Sequence, residues 1–242
     1  MSYFTLISEC IVRLKTVMIM TTNQQLDKLC MEHFGNRKYV ADGIFHESAE
    51  SRWEMEKPKV LFVMKQPNSN NLLGEDYRTY ELHDVLLGNQ NWEQLFARLY
   101  GIMHTTAKGY PSYEEATRQE SMIEAFTQHA FAMINIDKEH GAGTTRTNSL
   151  VAYAKANASF IRQQLQILSP NIIVCCGRSI YDSINCIMQP SAECSAAWTK
   201  YNKVLGFTYF DTYHPGKPMA GIRLEKAYEM PLKEYYKSLN NN

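Results

Sequence analysis

Residues 157–177 read Asn157-Ala-Ser-Phe160-Ile161-Arg-Gln-Gln164-Leu165-Gln-Ile-Leu168-Ser169-Pro170-Asn171-Ile172-Ile173-Val174-Cys175-Cys176-Gly177, and they decide the fold class. Asn157, Phe160, Ile161, Gln164, Leu165 and Leu168 recur at spacings of three and four, the period of one helix face. Ser169-Pro170 then stops the helix, because proline removes a backbone donor and its ring clashes with the preceding turn. After Asn171, Ile172 to Cys176 form an apolar run, led by β-branched residues, of the length of a buried strand, and Gly177 follows where the chain must turn tightly into another helix.

Three more apolar runs have the same character: Val60 to Met64, Ala130 to Ile136 and Phe207 to Phe210. Helical patterns separate them at about 91–103, 114–129, 148–168 and 178–188, and a last one lies near 221–238. Strands alternating with helices predict an α/β domain with a mostly parallel four-stranded sheet and right-handed crossovers. A three-layer α/β/α arrangement is the expected form. No repeat, linker or charge block divides residues 21–242, so they are read as a single domain.

The chain has 242 residues, 45% of them apolar, enough to fill one large core. Lys plus Arg and Asp plus Glu are 25 each, which excludes a global positive field of the kind that draws nucleic acid to a whole surface. Any contact with DNA must then be local, weak or transient, through a small basic patch. The six cysteines form no CxxC pair, and Cys175 and Cys176 read as packing rather than as nucleophiles, so a reducing cytoplasm is expected. Glu9, Arg13 and Lys15 interrupt residues 1–20, which makes that stretch neither a signal core nor a bilayer span. Two readings of it stand: an accessory amphipathic helix, or an extension upstream of a true start at Met18 or Met20, just before the helix-start pattern Thr21-Thr22-Asn23.

The residues after each strand carry the chemistry. Lys65-Gln66-Pro67-Asn68 follows the first run, Asp137-Lys138 and Gly141-Ala142-Gly143 follow the second, and Tyr213-His214-Pro215-Gly216-Lys217 follows the fourth. In an open parallel sheet these carboxyl ends converge on one edge, where such folds bind ligands. Each residue also has a purely structural reading: the prolines as strand stops, Asn68 as a turn former, His214 as a backbone cap. Trp92, Phe96 and Tyr100 sit at helical spacing and are read as core.

The ordered set of segments resembles the uracil-DNA glycosylase superfamily, most of all its bacterial and archaeal iron-sulfur branch. Asn135-Ile136-Asp137-Lys138 is similar to that branch's Asn-Val-Val-Lys, and Phe160 to Leu165 to its Phe-Leu-x-x-Gln-Leu helix. The Pro170 to Gly177 strand also matches, and His214-Pro215-Gly216 is similar to its His-Pro-Ser motif. Met64 to Asn68 resembles the first motif, and the likeness runs from about residue 58 to 218. Glu139 and Asn157 stand where that branch has cluster cysteines, so no iron-sulfur cluster is expected. No other metal or cofactor is expected either.

The resemblance implies excision of uracil or another damaged base from DNA by metal-independent hydrolysis. Asn135 would read the base edge, with Pro67, Asn68 and a stacking Tyr77 or Tyr80 around the base. His214 would stabilise the departing base and Gln66 would position water. Lys138, Arg146, Lys217 and Arg223 would hold phosphates. Gln66 departs from the Asp, Asn or Ala of relatives, and an amide cannot ionise to serve as a carboxylate base. A catalytically silent base- or nucleic-acid-binding relative, or a hydrolase of free nucleosides, are therefore the alternatives. No membrane partner is expected.

Overall fold

The structure is a computed structural model that describes residues 20–67, 76–86, 89–139, 147–188, 199–202, 207–216 and 222–240. In chain order the elements are α1 (Thr22–Phe34), β1 (Gly43–Ile44), α2 (Glu47–Trp53), β2 (Val60–Met64), a 3-10 turn (Tyr77–Thr79), α3 (Leu82–Leu86), α4 (Gln90–Met103), α5 (Tyr113–Ala116), α6 (Gln119–Gln128) and β3 (Phe131–Asn135). There follow α7 (Thr147–Ala156), α8 (Ala158–Leu168), β4 (Ile172–Cys176), α9 (Arg178–Met188), β5 (Thr199–Asn202), β6 (Phe207–Thr212) and α10 (Leu224–Asn240).

The strands form one sheet in the order β1-β3-β2-β4-β6-β5. The inner four, β3-β2-β4-β6, are parallel and coincide with the four apolar runs of the sequence. The expected count of four is corrected to six, because short antiparallel strands close both edges. In the parallel set the first strand, β2, lies between the second and the third, so successive connections leave in opposite directions. That reversal opens a crevice at the carboxyl ends. β2, β3 and β4 are buried almost without interruption, as strands covered on both faces must be. The helices fall into two sets that pack among themselves, α1, α7, α8 and α9 in one and α3, α4, α5, α6 and α10 in the other. This grouping is compatible with a three-layer α/β/α arrangement.

Two long helical patterns break in the structure, each at a residue whose side chain bonds to the backbone. The 148–168 pattern divides at Asn157, whose Nδ2 donates to the Tyr153 carbonyl at 2.9 Å. The 114–129 pattern divides at Thr117, whose hydroxyl donates to the Tyr113 carbonyl at 2.8 Å. Such bonds compete with the helical ladder. Gly177 has φ of 143°, a backbone that side-chain-bearing residues rarely adopt, at the turn expected from the sequence. Thr21 caps α1, with a reciprocal bond between Gln24 and the Thr21 amide. Asn23 then covers the sheet edge: its Oδ1 accepts from the Ile44 amide and its Nδ2 donates to the Ile44 carbonyl. No helix among the described residues is long and apolar enough to cross a membrane.

Candidate functional site

β3 ends at Asn135, level with Met64 at the end of β2. Side chains alternate along a strand, so Phe131, Met133 and Asn135 share one face. Phe131 packs there against Phe45 and Phe96, and Asn135 completes the row with a polar group that is only 2% exposed. The antiparallel pairing of β1 with β3 brings the residue before β1, Asp42, alongside the end of β3. Asp42 Oδ2 accepts from the Asn135 backbone amide at 2.8 Å and from Asn135 Nδ2 at 3.3 Å. Its Oδ1 is paired with the ammonium of Lys138, and both side chains are buried. A carboxylate only accepts hydrogen bonds, so Asp42 determines which end of the Asn135 amide is nitrogen. The carbonyl oxygen and the second amide hydrogen of Asn135 are left for other partners.

β6 delivers His214 by a different route. The Gly216 amide donates to His214 Nδ1 at 3.2 Å, so the neutral imidazole carries its proton on Nε2 and presents a donor there. Gly216 itself leaves no room for a side chain: a Cβ would lie 1.7 Å from Asn91 Oδ1. Beneath this turn runs the buried guanidinium of Arg98, whose Nη1 donates to the Tyr213 carbonyl at 2.8 Å. Burial pulls the Arg98 pKa down from its ordinary value, and the Tyr213 contact fixes the residue immediately before His214.

These strand ends open on a cavity of about 430 Å³, within the range of ligand pockets. Gln66, Asn135, His214, Tyr77 and Tyr80 all line it, five residues singled out from the sequence. The two tyrosine rings lie edge to face, with centroids 5.3 Å apart. Their segment is tied down by the bond from Tyr77 N to the Ala41 carbonyl and by Arg78, which pairs with Asp76 and Asp27. Asn91 and Trp92, from the first turn of α4, and the N-cap Asn89 line the cavity too, so the positive end of a helix dipole faces it.

Among the described residues, the other site candidates named from the sequence fall outside this lining. Lys138 does not contact phosphate: it is wholly buried and neutralised by Asp42. Arg223 is exposed beside Glu225, Lys226 and Glu229 and is not among the residues that line the cavity. Pro67 is buried but is not among the lining residues. Asn68, Arg146 and Lys217 lie outside the described residues. Trp92 is not simple core, since it is half-buried and forms part of the wall. Cys175 and Cys176 are core as read, and burial pushes the Cys176 thiol up to about 11. Glu139, at one position where the iron-sulfur branch has cysteine, pairs with Arg37 at 3.0 Å.

The sequence reading did not find Asp42, Arg98 or Asp84, the carboxylate among the described residues of the cavity wall. Asp84 accepts from the Glu81 amide at 2.9 Å and looks in sequence like any helix-start residue. Comparison with protein-family models and with curated proteins finds no match to this chain.

Proposed function

We propose that the cavity is a nucleobase pocket and that the protein is an N-glycosylase of the uracil-DNA glycosylase type, with the three-layer fold of that superfamily. The observation that carries this reading is the fixed orientation of Asn135. With Nδ2 held by Asp42, its Oδ1 accepts the N3 hydrogen of uracil and its remaining amide hydrogen donates to O4. Cytosine presents the opposite pattern. Reading it would require the amide to flip, which sets Oδ1 against the Asp42 carboxylate. Tyr77 or Tyr80 supplies an aromatic face for a base rotated out of the stack.

In hydrolysis the bond between C1′ of the sugar and the base nitrogen breaks, and its electron pair moves into the base. His214 Nε2–H is the donor to the resulting negative charge, assisted by the first turn of α4. Gln66 orients the water that adds to C1′. The proton which that water gives up passes by way of the Asp84 carboxylate or solvent to the departing base anion, Asp84 supplying the negative charge in the cavity wall that Gln66 lacks. Gln66 also favours a second reading, a pocket that binds a base without cutting. Single-turnover cleavage of uracil-containing oligonucleotides, with direct binding alongside, tests both. Excision that Asn135→Ala abolishes supports the first; uracil-selective binding without cleavage supports the second. Neither result, or an Asn135→Ala variant that cleaves at the wild-type rate, removes the proposed pocket.

A further inference from the structure

A second cluster of metal-ligand side chains lies away from the cavity. His104 caps the C-terminus of α4, Glu124 is in α6, and His129 follows α6 just before β3. One ligand atom from each lies within 4.8 Å of the others. β3 runs from this cluster toward Asn135, so about 13 Å of strand separates the cluster from the pocket. We propose that His104, Glu124 and His129 bind a divalent transition-metal ion of the zinc class, with water in the open coordination positions.

The hydrogen bonds around the two imidazoles carry the proposal. His104 Nδ1 lies 3.0 Å from the Tyr100 carbonyl oxygen, which can only accept, and Nε2 lies 3.1 Å from Glu124 Oε1. A neutral ring has one proton, so with Nδ1 donating, Nε2 turns a lone pair toward a carboxylate oxygen. A cation bound by both removes that conflict. The ring is held for the purpose by stacking on Tyr100, with centroids 4.1 Å apart. His129 Nδ1 lies 3.2 Å from Glu56 Oε1, and Glu56 is itself held by the Ala130 amide at 2.8 Å. Carboxylate and carbonyl partners on the far nitrogen are what orient metal-binding histidines and set their tautomer. Two histidines and one glutamate are a zinc ligand set that leaves a position for water. Tetrahedral donors at zinc distances sit about 3.3–3.4 Å apart, so the three donors, now within 4.8 Å of one another, must draw closer to hold an ion.

The rival arrangement is an imidazolium paired with Glu124, with no metal. Equilibrium dialysis and calorimetric titration of the full chain with zinc chloride near neutral pH distinguish the two. The expected result is one equivalent of zinc bound, with a raised thermal midpoint. Binding is lost in His104→Gln/Glu124→Gln and is unchanged in His214→Ala. Glu56→Gln should weaken binding by roughly 10–100-fold through His129. Cobalt(II) in place of zinc should show ligand-field bands without a thiolate charge-transfer band. Absence of saturable one-equivalent binding, equal binding by the His104→Gln/Glu124→Gln variant, or a thiolate band overturns the proposal.

Discussion

The ends of β2 and β3 lie side by side in register, yet they are built on different physics. At the end of β3, Asn135 is buried and fixed by a carboxylate that a buried ammonium neutralises. Two residues beyond the end of β2, the half-buried Gln66 brings a neutral amide to the position that would orient water. A buried ion pair is costly to assemble and strongly directional once assembled. Under the proposed function, the contrast fits a site organised for reading an edge more than for rapid hydrolysis: fixed charges would set selectivity, while water activation would lack an ionisable group at Gln66.

The largest effect should come from breaking the fixed corner. Asp42→Ala leaves the Lys138 ammonium buried without its partner and should destabilise the protein by about 3–5 kcal/mol in urea unfolding. Asp42→Leu combined with Lys138→Met removes both charges and should recover part of that loss, the buried Asn135 backbone amide being left without its acceptor. The double variant should nonetheless bind uracil and cytosine with reduced discrimination, because the Asn135 amide can then flip. A double variant that keeps full uracil selectivity would show that Asp42 does not set the orientation.

If the pocket cleaves as proposed, His214→Ala should lower the single-turnover excision rate by about 10²–10³, the typical cost of losing a donor to developing negative charge. Affinity for uncleaved DNA should change little, since that contact strengthens only as the bond breaks. Equal losses in rate and affinity would assign His214 to binding instead. A smaller change in the opposite direction is expected of Gln66→Asp. It should raise the rate by about tenfold, below the roughly 10²–10⁴ of a well-positioned general base, because the side chain is one methylene shorter. An unchanged rate would move water activation to Asp84.

What could be read in the sequence follows the same division. The four parallel strands were legible because both their faces are buried, which leaves continuous apolar runs. β1 was not, since it is only the two residues Gly43–Ile44, nor was β5, whose Thr199-Lys200-Tyr201-Asn202 carries the polar residues usual at an edge. Gln66, Asn135 and His214 stood out because each ends or follows an apolar run. Asp42 was invisible: it meets Asn135 across 93 residues, from a stretch with no regular pattern. Lys138 was misread because lysine is almost never fully buried unless paired, and its partner is that same Asp42.

The smallest effect concerns a second carboxylate on β3's flank, and it sharpens the comparison by removing the cation. Asp137 follows Asn135 by two residues and is half-buried, and burial raises its pKa above the ordinary carboxylate value. Its support comes from the Glu139 amide, 3.0 Å from Oδ1, and from Tyr153, not from an ammonium like that of Lys138. Because its folded pKa is raised, the native state holds this proton to higher pH than the unfolded chain does. Between the ordinary value of 3.8 and the raised one, the contribution of Asp137 to stability therefore falls as pH rises, and the penalty is complete above the raised value. Asp137→Asn keeps an oxygen for the Glu139 amide and has no charge to bury. The variant should match wild type in acid and become the more stable of the two as pH approaches neutrality. Urea unfolding of both proteins between roughly pH 3 and pH 8 measures the difference. If Asp137→Asn instead becomes the less stable of the two as pH rises toward neutrality, the ionised carboxylate is stabilised in place, and the distinction drawn between it and Asp42 fails.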